Sequence, residues 1–484
     1  MRNLLLFSSA MTLSLVAGCH SQHAAATSTD YPESPGTIMV DLSACTGTYG
    51  NTPALGGNAT SPVFAWEGTT YAAWVSDDGK PVVATWDGTD CTTPVNVDTS
   101  GFENPGSHDT PSIFMDGEGY LYATYFGARI YDNKASSTDR PDAPFIRRSV
   151  NPYDASEWGE PERARLWNYS ETHGQQLNDG SVLLVGADMP ARMDIIEPGG
   201  DYRWPAARQF IAQDRSRSAN PEGCQSGGPT LNRFTKAIVH QGPDGTLYTT
   251  WGWGSGYSEP DRPDGLCMDI HHYGKDSHEV FFAYSTDGGL NWSNLDGTKS
   301  VPSALCTSRE VCEEPNAGIT HNDPAFQITT QRQRIFRKLW VDEDGTIYIA
   351  FAQSTWCDSG VCNQPKPTAT TPGALTLLKF ELGGSVEQRV VNSDGHRHIG
   401  GIRTAGDKLY IWAQDDQWSD FYEYVSEDKG ETWSRTQVTR DGSGASGGRL
   451  HGAMVLPGLN SVRLLFDNSA RPRNVYLYKR VFKE

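Results

Sequence analysis

The sequence predicts an all-β chain: a seven-bladed β-propeller of four-stranded antiparallel blades. Three observations predict it. A turn flanked by two alternating strands recurs seven times. The composition is rich in turn and strand formers, with 50 Gly, 14 Trp and 20 Tyr against a hydrophobic fraction of 37%. After the first residues no helical periodicity longer than two turns is found.

The recurring turns lie in "WEGTTYAAWV", "MDGEGYLYATYF", "NDGSVLLVGA", "PDGTLYTTWGWG", "DEDGTIYIAFA", "AGDKLYIWAQ" and "LPGLNSVRLLF". Their glycines are Gly68, Gly117, Gly180, Gly245, Gly345, Gly406 and Gly458. Each stretch reads as a hairpin. Successive glycines are 49 to 65 residues apart except for one gap of 100, which holds Cys306 and Cys312 and reads as an inserted loop. Repeats of this period indicate one repeat domain rather than several domains. The stretch "GTIMVDLSA" near the start is expected to pair with the last unit, closing the ring and removing its exposed edges. The domain plan is therefore a leader over 1–18, a disordered tether over 19–36 and a propeller over 37–484.

The leader "MRNLLLFSSAMTLSLVAGC" has one positive charge, an apolar core and small residues before Cys19. It is a secretory signal, too short for a spanning helix. "VAGC" resembles a bacterial lipobox, which makes Cys19 a lipidation site and predicts an outer-membrane lipoprotein or a secreted protein. Contact with a membrane is then expected only through that lipid. Eight further cysteines are exported and free to form disulfides; nearness in sequence suggests Cys45–Cys91, Cys224–Cys267, Cys306–Cys312 and Cys357–Cys362.

The formal charge is −19, and removal of Arg2 with the leader takes it to −20. Such a surface argues against nucleic acid as a partner, so an anionic ligand needs a local cationic patch. Counting back from the turn glycines finds one. His108, His173, Lys236, Arg337, Lys338, His398 and His451 all fall seven to nine residues before a turn. In a propeller that places them at the start of the innermost strands, around one mouth. Each could equally bond only its neighbouring blade. Arg192 in "ADMPARMD" follows the second strand of its unit, and a guanidinium suits a carboxylate bidentately. Tyr202, Arg203, Trp204 and Arg208 are close in sequence, and Tyr202 or Tyr257 could stack on sugar rings.

Two stretches, "STDGGLNW" (Ser285 to Trp292) and "SEDKGETW" (Ser426 to Trp433), fit S-x-D-x-G-x-x-W. This resembles the Asp-box turn between the two outer strands of a blade in sialidase-like propellers. With "HDTPSIFMDGEGYLYATYF", "RRS…W", "LNDGSVLLVGADMPAR" and "RFTKAIV", the chain resembles BNR-repeat polysaccharide lyases, the ulvan lyases of families 24 and 25, with family 25 nearest. The resemblance implies β-elimination next to a uronate linked to sulfated rhamnose. It implies His108 as a catalytic histidine and Arg192 as the arginine that neutralises the uronate carboxylate. His173 stands where relatives tend to carry a tyrosine, and Phe234 where they carry a second one. The catalytic set is thus His108, His173 and Arg192. The substrate-binding set is Lys236, Arg208, Tyr202, Tyr257, His398 and His451. The partner implied is an anionic sulfated polysaccharide, and a monomer is expected.

Two other functions fit the pattern: a glycan-binding lipoprotein without catalysis, and a glycoside hydrolase of the sialidase-like class. Hydrolysis needs two facing carboxylates, for which Asp109 and Asp194 are the candidates. The chemistry needs no cofactor. In "CMDIHHYGKDSH", Cys267, His272 and His278, with Cys224 upstream, could hold a structural zinc, and a calcium in a loop is the other possible ion.

Overall fold

The computed structural model describes residues 36–41, 61–76, 78–99, 110–125, 144–166, 172–186, 191–212, 233–254, 278–307, 318–320, 323–329, 333–353, 373–415, 421–438, 450–454, 461–467 and 475–482. These form seven separate sheets, five of four strands and two of six. In chain order, the first sheet holds Val63–Trp66, Thr69–Val75, Pro81–Trp86 and Val95–Asn96. The second holds Ser112–Met115, Leu121–Tyr125, Phe145–Arg148 and Glu162–Arg163. The third is built on Thr172–Gln176, Val182–Gly186, Ala191–Ile196 and Arg208–Ala212. The fourth runs through Arg233–Gln241, Leu247–Gly254, His278–Ser285, Asn291–Ser293 and Ser300–Pro302. The fifth holds Gln333–Val341, Ile347–Gln353, Leu375–Phe380 and Glu387–Asn392. The sixth holds His396–Ala405, Lys408–Asp415, Phe421–Ser426 and Ser434–Gln437. The seventh is Leu450–Met454, Ser461–Asp467, Val475–Val481 and, from the start of the chain, Gly36–Asp41.

That last strand is the closure the sequence predicts. Gly36–Asp41 pairs antiparallel with Tyr476–Val481, Gly36 opposite Val481 and Asp41 opposite Tyr476. The sheets follow one another around a ring, and Leu450–Met454 returns to lie beside Val63–Trp66. The apolar core is a circuit of seams between neighbouring sheets. Phe64, Phe114 and Leu184 join the first three sheets. Phe210, Trp251 and Trp292 join the third to the fourth. Val63 and Trp74 meet Val475 and Leu477, so the last seam is apolar too. Trp74, Trp251, Trp292 and Trp412 are among the largest fully buried side chains. Truncating one such side chain costs about 3–5 kcal/mol.

Six of the seven predicted turns lie within the described residues, each between the first and second strands of a sheet; Gly458 lies outside them. Gly180 takes φ 81° and Gly245 φ 85°, a conformation that favours glycine. In the second sheet the positive φ belongs to Gly119, at 89°, and not to Gly117. Gly117 serves a different need: its N–H donates to Gly180 O at 2.6 Å, and a Cβ there would lie 2.8 Å from Gly180 Cα.

Both S-x-D-x-G-x-x-W stretches close the turn between the third and fourth strands of a sheet. Asp287 Oδ1 accepts from the N–H groups of Leu290 and Asn291 at 3.0 and 2.9 Å, and Ser285 Oγ accepts from Gly289 N–H at 2.8 Å. Asp428 and Ser426 repeat the pattern on Glu431, Thr432 and Gly430. Trp292 is fully buried and stacks on Phe210 with ring centroids 5.1 Å apart.

The long gap between Gly245 and Gly345 departs from the expected loop. Besides the Asp-box turn it supplies strands to existing sheets. Ala304–Leu305 and Ile319–Thr320 pair with the outer strand Arg208–Ala212 of the third sheet, the second of them in parallel. Gln327–Thr329 adds to His278–Ser285. Two sheets therefore exceed four strands because strand edges left unpaired, that of Arg208–Ala212 and the first half of His278–Ser285, accept more chain.

Candidate functional site

Each sheet has two ends. The turns at Gly68, Gly119, Gly180, Gly245, Gly345 and Gly406 define the turn end, and the starts of the first strands define the opening end. In the third sheet His173 pairs with Val185, and Gly186 pairs with Arg192. His173 and Arg192 therefore occupy adjacent rows at the opening end, two strands apart, with backbones about 10 Å from each other. Alternation along the strands sends their side chains to opposite faces of the sheet.

Arg192 is 2% exposed. Its Nη1 donates to Leu166 O at 3.1 Å, and its Nε faces Gln209 Oε1 at 3.5 Å. It points towards the second sheet, as does Asp194, two residues on. His173 is buried and points the other way, where its Nε2 accepts from Val239 N–H at 3.4 Å. The two residues share an end of the sheet but not a seam. Arg337 is likewise buried within its seam, and burial pulls its pKa down to about 9.

Other predicted site residues are dispersed. Tyr202 bridges to Ile196 at the turn end, four rows and about 13 Å along the strands from Arg192. Its ring lies under the Arg165 guanidinium, 3.7 Å away, and burial beside Asp194 pushes its pKa up to about 12. Arg208 stands on the outermost of the four original strands. Its Nε donates to Ser303 Oγ at 2.7 Å and its Nη2 to Ser303 O at 2.8 Å, so it fastens the inserted chain to the sheet. The structure thus carries Tyr202 to the turn end, whereas Arg208, opposite Met193, stays in the opening-end row of His173 but on the outer strand of the sheet. Lys236, His398 and His451 lie on the first strands of the fourth, sixth and seventh sheets, their side chains outside the description. His108, Asp109 and Tyr257 lie outside the described residues.

The same holds for Cys19 and for the zinc candidates Cys224, Cys267 and His272; His278 begins a strand of the fourth sheet, without a described side chain. Among the described residues no group of three or more His, Cys, Asp or Glu is placed to hold a metal. Cys91 and Cys306 are disulfide-bonded.

Two clusters complete the picture, the first not singled out by the sequence and the second adding Arg165 to the candidate Asp194. At the opening end, Tyr125 OH donates to Asp98 Oδ2 at 2.6 Å, and Arg147 Nε approaches Tyr125 Oη at 3.2 Å. Burial and the Asp98 carboxylate raise the Tyr125 pKa. Nothing local marks this set, because Asp98 comes from the first sheet and the other two from the second. The second cluster is Asp194, fully buried, with Arg165 Nε at 3.0 Å and Nη2 at 2.9 Å from its Oδ2. Burial lifts the Asp194 pKa to about 6 although Arg165 opposes the shift. Asp109, the carboxylate that would face it in a hydrolase, lies outside the described residues.

No protein-family model matches the chain, and no curated protein matches it. Solved structures do. The chain is similar to an ulvan lyase of polysaccharide lyase family 25 bound to -[GlcA(1-4)Rha3S]-, with a TM-score of 0.59 at 16% identity, covering 90% of this chain and 96% of that one. A second structure of that family 25 ulvan lyase gives the same values. The polysaccharide lyase Uly1 aligns with a TM-score of 0.53 at 12% identity, over 94% of this chain and 95% of the other. At these identities the likeness is one of fold: the chain is an all-β propeller of four-stranded antiparallel blades, shaped like these lyases along almost its whole length.

Proposed function

We propose that the protein is a polysaccharide lyase that cleaves a sulfated uronic-acid polysaccharide of the ulvan type by β-elimination, leaving unsaturated uronate ends. The observation that carries this reading is the near-complete overlap of fold with a lyase whose structure holds a glucuronate–sulfated rhamnose oligosaccharide. Each of the seven sheets is read as one blade. The leader, the lipidated Cys19 and the closely spaced disulfide pairs belong to the same proposal, which makes the protein an exported monomer tethered by its N-terminal lipid. The zinc or calcium site is kept only as a structural ion with no part in the chemistry.

The residue types suit the reaction. A uronate C5 proton is a weak acid until the adjacent carboxylate is neutralised. A guanidinium does this and stabilises the enolate-like transition state. A base then takes the C5 proton, and an acid protonates the departing O4. Arg192 is given the first role. It faces the second sheet, and His108 comes shortly before the first strand of that sheet in the sequence. His108 is given the base role and His173 that of the second acid–base group, since a histidine suits either role near neutral pH. Incubation with ulvan tests the proposal. A rise in the ultraviolet absorbance of unsaturated uronate is expected. No rise, with no new reducing ends, would leave glycan binding as the surviving function.

A further inference from the structure

At the turn end, between the first and second sheets, lies a hollow of about 430 Å³. Its walls include Trp66, Glu67, Tyr153 and Asp154, with the hydroxyls of Thr85, Thr92 and Ser156 at its rim. The volume is that of a small-ligand site. It lies at the end of the sheets opposite to Arg192 and His173.

Tyr153 is the unusual residue. It is 48% exposed, one of few large apolar side chains so open among the described residues, and it takes φ 59°. A bulky side chain in that region is strained and persists only where its surroundings impose it. Three contacts do so. Tyr153 N–H donates to Gly119 O at 2.7 Å, and Tyr153 O accepts from Tyr71 OH at 2.9 Å. The ring covers Gly119, where any Cβ would collide with it. The result is a tyrosine ring held open to solvent and stacked beside Trp66, with centroids 6.1 Å apart and planes 25° from parallel. Trp66 rests against the core of the first sheets, and the open ring of Tyr153 extends that aromatic surface into solvent.

We propose that this hollow is an accessory site for a neutral pyranose unit of a polysaccharide chain, stacked on Tyr153 and Trp66 and hydrogen-bonded by Glu67 and Asp154. The aromatic faces match the apolar face of a sugar ring. The carboxylates accept from pairs of sugar hydroxyls, and charge-assisted acceptors of this kind are strong. Both carboxylates border the hollow closely enough to raise the pKa of Tyr71, after burial, to about 12. The same charges repel sulfate and uronate groups, so the site selects against the anionic chain proposed for the opening end.

The test uses the full chain in affinity electrophoresis, with carboxyl-reduced, desulfated ulvan as the neutral probe and native ulvan as the anionic one. The neutral chain is expected to retard the protein. Tyr153→Gly removes the ring and leaves a residue at ease with positive φ, so the fold should persist. It should weaken neutral-chain binding roughly tenfold, about the most expected for one aromatic platform. Glu67→Lys, at an exposed turn, should weaken it as well with an unchanged urea midpoint. Any retardation by native ulvan should be the same in wild type and Tyr153→Gly. The inference is overturned if the wild type ignores the neutral chain, if both variants bind it as the wild type does, or if Tyr153→Gly loses native ulvan instead. Binding is read without turnover, so a protein devoid of lyase activity can still confirm this site, and an active lyase can still refute it.

Discussion

Val239 donates its backbone N–H to His173 Nε2 across the seam between the third and fourth sheets. Acceptance at Nε2 puts the ring proton on Nδ1. A residue that supports its neighbouring sheet in this way can be structural, catalytic or both. His173→Phe keeps a ring in place and removes the acceptor, leaving a buried N–H unpaired, which costs about 1–3 kcal/mol. Urea unfolding should show that loss, and elimination of ulvan should fall with it. If stability drops while turnover is untouched, His173 leaves the catalytic set and remains a strut between sheets.

Arg192 gives a sharper result. Arg192→Lys keeps a positive charge in the same place, but one ammonium cannot reproduce a planar fork reaching both Leu166 O and Gln209. The expected outcome is a fall in kcat of about 10²–10³-fold, comparable to the loss of one transition-state donor, with little change in KM. Wild-type kcat in this variant would remove Arg192 from the site.

Acid sensitivity has a named source in the fourth sheet. His240 is buried with its ring centroid 5.0 Å from that of Trp340, and burial pushes its pKa from 6.5 down to about 4. Above pH 6.5 the ring is neutral whether the chain is folded or not. Between pH 6.5 and 4 the unfolded chain takes up a proton that the folded chain refuses, so stability falls by about 3 kcal/mol as pH falls through that window. Asp194 acts in the opposite sense: its raised pKa lets the folded chain bind a proton first, so it adds stability from about pH 6 downwards. Comparing His240→Phe with the wild type cancels the Asp194 contribution. The variant should lose less stability between pH 7 and pH 4.5; equal losses would show that His240 has no such role.

The two Asp-box turns should respond alike. Asp287→Ala and Asp428→Ala each strip a carboxylate from two backbone N–H groups. Each should cost about 1–3 kcal/mol in urea unfolding and leave the substrate KM unchanged. A change in KM with either variant would mean that these turns touch the ligand, which their place at the turn end argues against.

Ring closure makes a further prediction. A chain beginning after Asp41 lacks the outer strand of the seventh sheet and exposes the edge Tyr476–Val481. Such an edge invites pairing with another chain. Size-exclusion chromatography should show self-association, and the thermal midpoint should fall; a monodisperse truncated chain of unchanged midpoint would count against the closure as a source of stability.

Features that depend on a few neighbouring residues were legible in the sequence. The hairpin turns are local, because a positive φ asks for glycine at one position. The Asp-box turns are equally self-contained, since the serine, aspartate and glycine bond one another. The closing strand was legible because an alternating segment without a partner implies an open edge elsewhere. The ring of basic residues was less so. Counting back from a turn glycine assumes an unbroken ladder, and the ladder is broken between Thr235 and Ile238, Gln333 and Arg337, His396 and His398, and His451 and Met454. A shift of register alters both the row and the face of every residue beyond it. Equal counts therefore do not give equal places. Tyr202 and Arg208 stand apart from Arg192 for another reason: closeness in sequence spans a turn, which carries Tyr202 to the far end of the sheet and brings Arg208 back along the outer strand.

The direction of the closing strand has a bearing on orientation. Gly36 lies opposite Val481, which pairs with Ser461 at the turn end, whereas Asp41 lies at the opening end. Any chain preceding Gly36 therefore joins the body at its outer circumference and from the side of the hairpins. If a lipid on Cys19 holds the protein to a membrane, the anchor joins the body at the end that carries the hollow beside Tyr153, opposite to the end that carries Arg192 and His173.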